Sequence, residues 1–300
     1  MEIRKILVPT DFSETARAAV DQALILAVKY DAELTVLHAR LLFEDDPAEL
    51  PKKLSSLQRE ENKVENALMK QVKKCTEGSM HLKIKHEIIR GYSAPSAILG
   101  YINNHDFDLV VIGTHGRTGL EHILIGSVAE KVVRYARCPV LTVRSKEYVK
   151  DRFTKILVPF DFSEPAMLAL KMAAEFTDEP RGEIHLLYAV EQDVHPALYA
   201  WGMKTVFEVI PDLEKKVKVR MDESVKRIAE LKERKIIKLV REGKPHKVIS
   251  TYADEISPDA LVIGTHGLVG LERFLLGSTT ERVIRSIRFP VLTVKLKNII

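Results

Sequence analysis

Leu109-Val110-Val111-Ile112-Gly113-Thr114-His115-Gly116-Arg117-Thr118-Gly119, running on to Ile125-Gly126-Ser127, is the stretch that decides the fold. Four apolar residues, three of them β-branched, predict a parallel strand covered on both faces. The glycines let the backbone turn and approach a neighbour closely. Gly126-Ser127 then opens Val128-Ala129-Glu130-Lys131-Val132-Val133-Arg134, whose apolar spacing is helical. A helix start presents free N–H groups and partial positive charge, so an anion, most naturally a phosphate, belongs there.

The stretch recurs. Leu261-Val262-Ile263-Gly264-Thr265-His266-Gly267-Leu268-Val269-Gly270 leads to Leu276-Gly277-Ser278, 151 residues on (264 − 113). Lys5-Ile6-Leu7-Val8-Pro9-Thr10-Asp11-Phe12-Ser13-Glu14 recurs as Lys155-Ile156-Leu157-Val158-Pro159-Phe160-Asp161-Phe162-Ser163-Glu164. Cys138-Pro139-Val140-Leu141-Thr142-Val143 returns as Phe289-Pro290-Val291-Leu292-Thr293-Val294. So long a period marks a duplicated domain rather than a solenoid. The expected domains are 1–146 and 153–300, joined by the polar stretch from Ser145 to Arg152.

In the first copy the pattern predicts strands at Ile6–Val8, Glu33–Ala39, Leu82–Ile89, Leu109–Ile112 and Val140–Val143. Helices are expected at Glu14–Tyr30, Pro51–Thr76, Pro95–Asn104 and Gly126–Arg137, with an acidic loop at Leu41–Leu50. The second copy predicts strands at Ile156–Val158, Glu183–Ala189, Lys235–Val240, Ala260–Ile263 and Val291–Val294. A mixed-charge helix is expected at Leu213–Lys235, and a partly apolar excursion at Glu191–Pro211 that could cover a site or dock on the other copy. Strands alternating with helices imply an α/β protein of two doubly wound parallel domains. Ligands of such sheets bind beyond the carboxyl ends of the strands, where Asp11 and Gly113 both fall.

At 300 residues, 46% apolar and 29% charged, with net charge +4, the chain is of ordinary globular composition. No basic arm points to nucleic acid, and no apolar run nears the ~18 residues of a membrane span. The absence of an apolar leader and the two cysteines, Cys75 and Cys138, fit a cytoplasmic protein with neither disulfide nor metal framework.

The loop spacing is Gly113-x2-Gly116-x9-Gly126-Ser127, and Gly264-x2-Gly267-x9-Gly277-Ser278 in the second copy. It is neither a Walker A loop, since no lysine follows the last glycine, nor a GxGxxG dinucleotide loop. Each loop is paired with an acidic strand-end residue, Asp11 or Asp161. Such a carboxylate can accept from both hydroxyls of a ribose, or merely cap the turn at Ser13 or Ser163. Joined to the loops, ribose and phosphate binding is the better reading. His115 and His266 lack partners at ligand spacing and read as structural. Cys138 aligns with Phe289 and reads as packing.

These motifs together resemble the universal stress protein family in tandem two-domain form, over nearly the whole chain. The resemblance implies an adenine nucleotide alpha-hydrolase-like fold, a five-stranded parallel sheet of order 3-2-1-4-5, and association through the fifth strands. It implies ATP, with or without Mg2+, since the glycine motif marks the ATP-binding members. By position, Pro9, Thr10 and Asp11 border adenosine, and Ala39 meets adenine through its backbone. Gly113, Gly116, Gly126, Ser127 and Val128 hold phosphates, and Arg117 adds charge to a terminal one. The second copy offers Pro159, Asp161, Ala189, Gly264, Gly267, Gly277, Ser278 and Thr279. Phe160 in place of Thr10, and Leu268 in place of Arg117, weaken it.

The function expected is an ATP-binding stress-response module, nucleotide-dependent in its partner contacts, without a strong catalytic signature. A slow ATPase or phosphotransferase is one alternative, which would need a positioned base and metal carboxylates near the γ-phosphate. A nucleotide-free assembly module is the other. The two copies are expected to form an intramolecular pseudo-dimer through their fifth strands, with a further homodimer open to it.

Overall fold

The computed structural model describes residues 3–41, 66, 69, 82–114, 125–178, 182–191, 205–232, 234–265 and 276–296. The chain divides into two compact units, Glu2–Asp151 and Arg152–Ile300, each described by itself.

The first unit runs β1 (Lys5–Pro9), α1 (Glu14–Tyr30), β2 (Glu33–Leu41), β3 (Ile84–Gly91), α2 (Ala94–Asn104), β4 (Leu109–Gly113), α3 (Ser127–Tyr135) and β5 (Val140–Val143). Its described strands are ordered β3-β2-β1-β4-β5, and every pair is parallel. Ile6, Leu7 and Val8 of β1 and Leu109, Val110 and Val111 of β4 are fully buried, as strands covered on both faces require. β3 lies at the edge and is half exposed along its length. It begins at Ile84 and runs to Gly91, two residues later than its alternation suggests, because its register on β2 carries pairing to Leu41↔Gly91. The expected loop at Leu41–Leu50 and helix at Pro51–Thr76 lie almost wholly outside the described residues.

α1 matches its predicted span. Ser13 caps it, its hydroxyl accepting the Ala16 N–H at 3.2 Å. Ala16, Ala19, Ala23 and Ala27 are buried at helical spacing, so small side chains let the helix settle close on the sheet. Asp31 ends it in the left-handed region at φ 50°. Gln22 is fully buried, yet both ends of its amide are satisfied by Lys150. Its Nε2 donates to the Lys150 carbonyl at 3.0 Å, and its Oε1 accepts the Lys150 N–H at 2.8 Å. The polar stretch after β5 is thereby tied down on α1 rather than trailing as a linker.

The second unit runs β6 (Lys155–Pro159), α4 (Glu164–Phe176), β7 (Glu183–Val190), α5 (Val206–Val209), α6 (Leu213–Lys226), β8 (Lys235–Glu242), α7 (Pro245–Ile256), β9 (Ala260–Gly264), α8 (Ser278–Ser286) and β10 (Val291–Val294). Its described strands take the order β8-β7-β6-β9-β10, again all parallel. The mixed-charge helix ends at Lys226, not Lys235. Buried Ile228 and Leu231 turn the chain through a short 3-10 segment, Ala229–Leu231, and Lys235 already belongs to β8. Of the Glu191–Pro211 excursion, residues 205–211 and Glu191 are described. Thr205 and Glu208 form a capping box around α5, Val206 is buried, and its N–H donates to Glu242 Oε2 at 2.9 Å.

Candidate functional site

In each unit the residue that follows the first strand is tied to the second strand. The Thr10 N–H donates to the Leu37 carbonyl at 2.8 Å, and the Phe160 N–H donates to Leu187 at 2.8 Å. The chain then turns sharply. Phe12 and Phe162 adopt φ 67° and 66°, left-handed conformations that cost a bulky residue about 1–2 kcal/mol. Local bonds hold the turn: Thr10 Oγ1 accepts the Phe12 N–H at 3.1 Å, and Asp11 Oδ1 accepts the Ser13 N–H at 3.0 Å. Arg17 clamps the Phe12 carbonyl with Nε at 3.2 Å and Nη2 at 3.1 Å. The cap function weighed for Asp11 is therefore real. A carboxylate offers about four lone-pair sites, so capping the turn is compatible with accepting from a ligand.

Gly113 explains why the turn and the loop sit together. A Cβ there would lie 2.7 Å from the Thr15 carbonyl carbon and 2.8 Å from the Ala16 nitrogen. The close approach expected of this glycine is thus made to the backbone of α1, not only to a ligand. Gly264 repeats it against Pro165, with a Cβ 2.7 Å from the proline Cβ. Each loop also begins and ends at one point. The Thr114 N–H donates to the Val143 carbonyl at 3.0 Å, and the Thr114 carbonyl accepts the Gly126 N–H. In the second unit Thr265 does the same, with the Gly277 N–H at 2.7 Å. Buried Thr114 and Thr265 escaped sequence reasoning, because their part is played by backbone groups.

α3 starts at Ser127, one residue later than expected, with Gly126 as N-cap and no side-chain cap. It stops at Tyr135, two residues short of Arg137, because Ala136 is already extended. Its first N–H groups therefore point out at the carboxyl end of the sheet. They open on a cleft with an interior of about 160 Å³. Pro9, Thr10, Asp11, Ala39, Gly113, Gly126, Ser127 and Val128 all line it. Ala16, Leu37, Ala94, Ile98, Ile112, Thr114 and Ala129 complete the wall. The additional members are mostly apolar, and no motif marks them. His38 adjoins the same turn, its Nδ1 2.8 Å from the Thr10 carbonyl and its ring 4.9 Å from that of Phe12. Gly116, Arg117 and His115, like Gly267, Leu268 and His266, lie outside the described residues. Cys138 is buried.

In the second unit Pro159 ends β6, Ala189 lies in β7, Gly264 ends β9, and Gly277 caps α8 before Ser278 and Thr279. The details differ. Asp161 Oδ1 accepts both the Ser163 N–H at 3.0 Å and the Ser163 hydroxyl at 2.5 Å. Phe160 is 3% exposed, its ring 5.0 Å from Phe162, which meets Tyr188 at a tilt 5.2 Å away and lies under the Arg220 guanidinium at 4.1 Å. Met167 stands where Arg17 clamps the first turn.

Among the described residues no three His, Cys, Asp or Glu side chains could hold a metal ion, and no helix is long and apolar enough to cross a membrane.

Doubly wound parallel units in tandem, the first with a cleft at the start of a helix that no side chain caps, define a class of α/β domain. The sequence profile of the Universal stress protein family matches residues 2–144 and again 152–295, and the chain belongs to that family. Universal stress protein MJ0531 of Methanocaldococcus jannaschii is 39% identical over 144 residues, 47% of this chain and 82% of that one. The crystal structure of a universal stress protein from Archaeoglobus fulgidus shares the fold across 99% of this chain and 100% of its own, with TM-score 0.72 and 22% identity. A universal stress protein solved in complex with cAMP covers 48% of this chain and 98% of its own, at 23% identity and TM-score 0.34.

Proposed function

We propose that the cleft of the first unit binds an adenine nucleotide, ATP, and that its occupancy alters the contacts the chain makes with partners. The observation that carries this reading is the gathering of Thr10, Asp11, Ala39, Gly113, Gly126 and Ser127 in one cleft at an uncapped helix start. Each part of the wall suits a part of the ligand. Leu37, Ile98 and Ile112 offer apolar surface to a planar base. Asp11 offers a carboxylate to ribose hydroxyls. The first N–H groups of α3 and the Ser127 hydroxyl suit phosphate oxygens. Mg2+ would arrive on the phosphates rather than in a carboxylate cage.

Among the described residues Asp11 is the carboxylate that lines the cleft, and this reading assigns it to ribose, so the proposal is regulatory binding without hydrolysis. A cytoplasmic location and pairing of Val140–Val143 with Val291–Val294 belong to the same proposal, on the ground of sequence alone. The test is extraction of adenine nucleotide from the purified chain, followed by titration with ATP and adenosine. Binding of both, weakened by Asp11→Asn, supports the reading. A chain that binds neither is an assembly module.

A further inference from the structure

The duplication supplies an internal control on the turn that follows the first strand. Phe12 and Phe162 take the same left-handed conformation, at φ 67° and 66°. The Ser13 and Ser163 N–H groups donate to Oδ1 of Asp11 and Asp161, each at 3.0 Å. Both serine hydroxyls cap the helix that follows, accepting from Ala16 at 3.2 Å and from Ala166 at 3.3 Å.

The first unit adds two donors to this shared frame. His38 Nδ1 lies 2.8 Å from the Thr10 carbonyl. A carbonyl oxygen only accepts, so Nδ1 carries the proton. Arg17 donates to the Phe12 carbonyl through Nε at 3.2 Å and Nη2 at 3.1 Å. In the second unit Tyr188 and Met167 stand at these two places. There, among the described residues, no side chain donates to the Phe160 or Phe162 carbonyl, and the Tyr188 ring lies 5.2 Å from that of Phe162. The same turn therefore forms without a counterpart of His38 or Arg17.

Both added bonds converge on Asp11. In a trans peptide the N–H points opposite to the C=O. The carbonyl held by His38 shares its peptide with the Asp11 N–H, which is thereby fixed to face away from the imidazole. The carbonyl held by Arg17 shares its peptide with the Ser13 N–H, the donor to Asp11 Oδ1. A charge-assisted bond to a carbonyl polarises that peptide and strengthens the N–H on its other side. His38 thus anchors the Asp11 backbone and Arg17 its carboxylate, and Asp11 lines the cleft.

We propose that His38 and Arg17 are positioning residues that hold the Asp11 carboxylate for both hydroxyls of a ribose, making the first cleft selective for ribonucleosides over 2′-deoxyribonucleosides. This rests on the nucleotide reading above. A carboxylate meets two vicinal hydroxyls at once only when its plane is fixed. Held loosely, it accepts from either one alone and gains little from the second.

The test is calorimetric titration of the full chain with adenosine and with 2′-deoxyadenosine. The variants are Arg17→Met with His38→Tyr, which installs the second unit's residues around a turn that unit shows to form with them, and His38→Asn. The wild type should bind adenosine at least about tenfold tighter than 2′-deoxyadenosine, the loss of one hydrogen bond to a charged acceptor. In the double variant, shown to be folded by far-UV circular dichroism, that ratio should fall below about threefold while 2′-deoxyadenosine affinity stays within about threefold of wild type, because the apolar wall is untouched. His38→Asn puts an amide donor where Nδ1 stands and should keep the wild-type ratio. An unchanged ratio in the double variant overturns the proposal. So does an equal loss of both nucleosides, which marks a damaged cleft rather than a mispositioned carboxylate, and so does a His38→Asn chain whose ratio falls as far as that of the double variant. A wild type that binds the two nucleosides equally overturns the proposal and leaves the nucleotide reading standing; one that binds neither overturns that reading as well.

Discussion

Gly113→Ala puts a methyl group where no methyl fits. Its Cβ would stand 2.7 Å from the Thr15 carbonyl carbon, 2.8 Å from the Thr15 oxygen and 2.8 Å from the Ala16 nitrogen. All three are backbone atoms, so no rotamer change relieves the contact. The first turn of α1 cannot simply retreat, because Ser13 caps it and Asp11 ties the turn before it. Overpacking of this kind costs about 1–3 kcal/mol. The alanine also restricts the unfolded chain, which returns about 0.4–1 kcal/mol. A net loss of about 1–2 kcal/mol follows. Gly100 supplies the control. It lies within α2, and a Cβ there meets nothing within 4 Å, so Gly100→Ala should gain about 0.5–1 kcal/mol. Urea unfolding of both variants, followed by far-UV circular dichroism, reads the difference. With a slope of about 1–3 kcal/mol per molar, the two midpoints should separate by roughly 0.5 M or more, in opposite directions from wild type. A Gly113→Ala chain as stable as wild type would refute the packing argument. Because Gly113 and Ala16 both line the cleft, displacement of α1 should also weaken ATP binding, while Gly100→Ala leaves it alone.

Asp11→Asn should weaken adenosine and ATP alike, by about 1.5–3 kcal/mol, because the lost contact is to the sugar; an unchanged affinity in titration calorimetry would remove Asp11 from that role. Arg17→Ala should destabilise the first unit by about 1 kcal/mol in urea, since the left-handed Phe12 loses both bonds to its carbonyl, whereas Met167→Ala cannot act that way in the second. Lys235 first, then His185, hold the Glu183 carboxyl below its ordinary value of 4.5. A depressed carboxyl stabilises the fold above its unfolded pKa and stops doing so as the pH falls through the folded one. Urea midpoints measured at falling pH should therefore drop below about pH 4.5, and Glu183→Gln should flatten that fall; an identical slope in the variant would show the pair carries no linkage.

Most strands were readable because each is a short apolar run and because every motif occurs twice; their order came only from the family resemblance. Asp11, Gly113, Gly126 and Ser127 were legible as a group because they follow strand ends or open a helix at the carboxyl end of the sheet, whereas Pro9, Thr10, Ala39 and Val128 came from the family resemblance. Leu37, Ile98 and Ile112 were not, since an apolar residue lining a cleft looks like any core residue. The left-handed Phe12 and Phe162 carry no signal of their own, because the turn is held by neighbours. The span of α6 was overread because the charge pattern of the helix continues past Lys226, while the buried Ile228 and Leu231 that end it fit a helical stripe equally well.

The central claim, that the first cleft is built for an adenine nucleoside phosphate, is tested most directly by titrating the full chain with ATP before and after Thr10→Phe. The substitution installs the residue the second unit already carries at this place, in a turn that unit shows to be compatible with it. Saturable ATP and adenosine binding by the wild type, with both lost in a Thr10→Phe chain that far-UV circular dichroism shows still folded, is the predicted result. ATP binding of undiminished affinity in Thr10→Phe would contradict it.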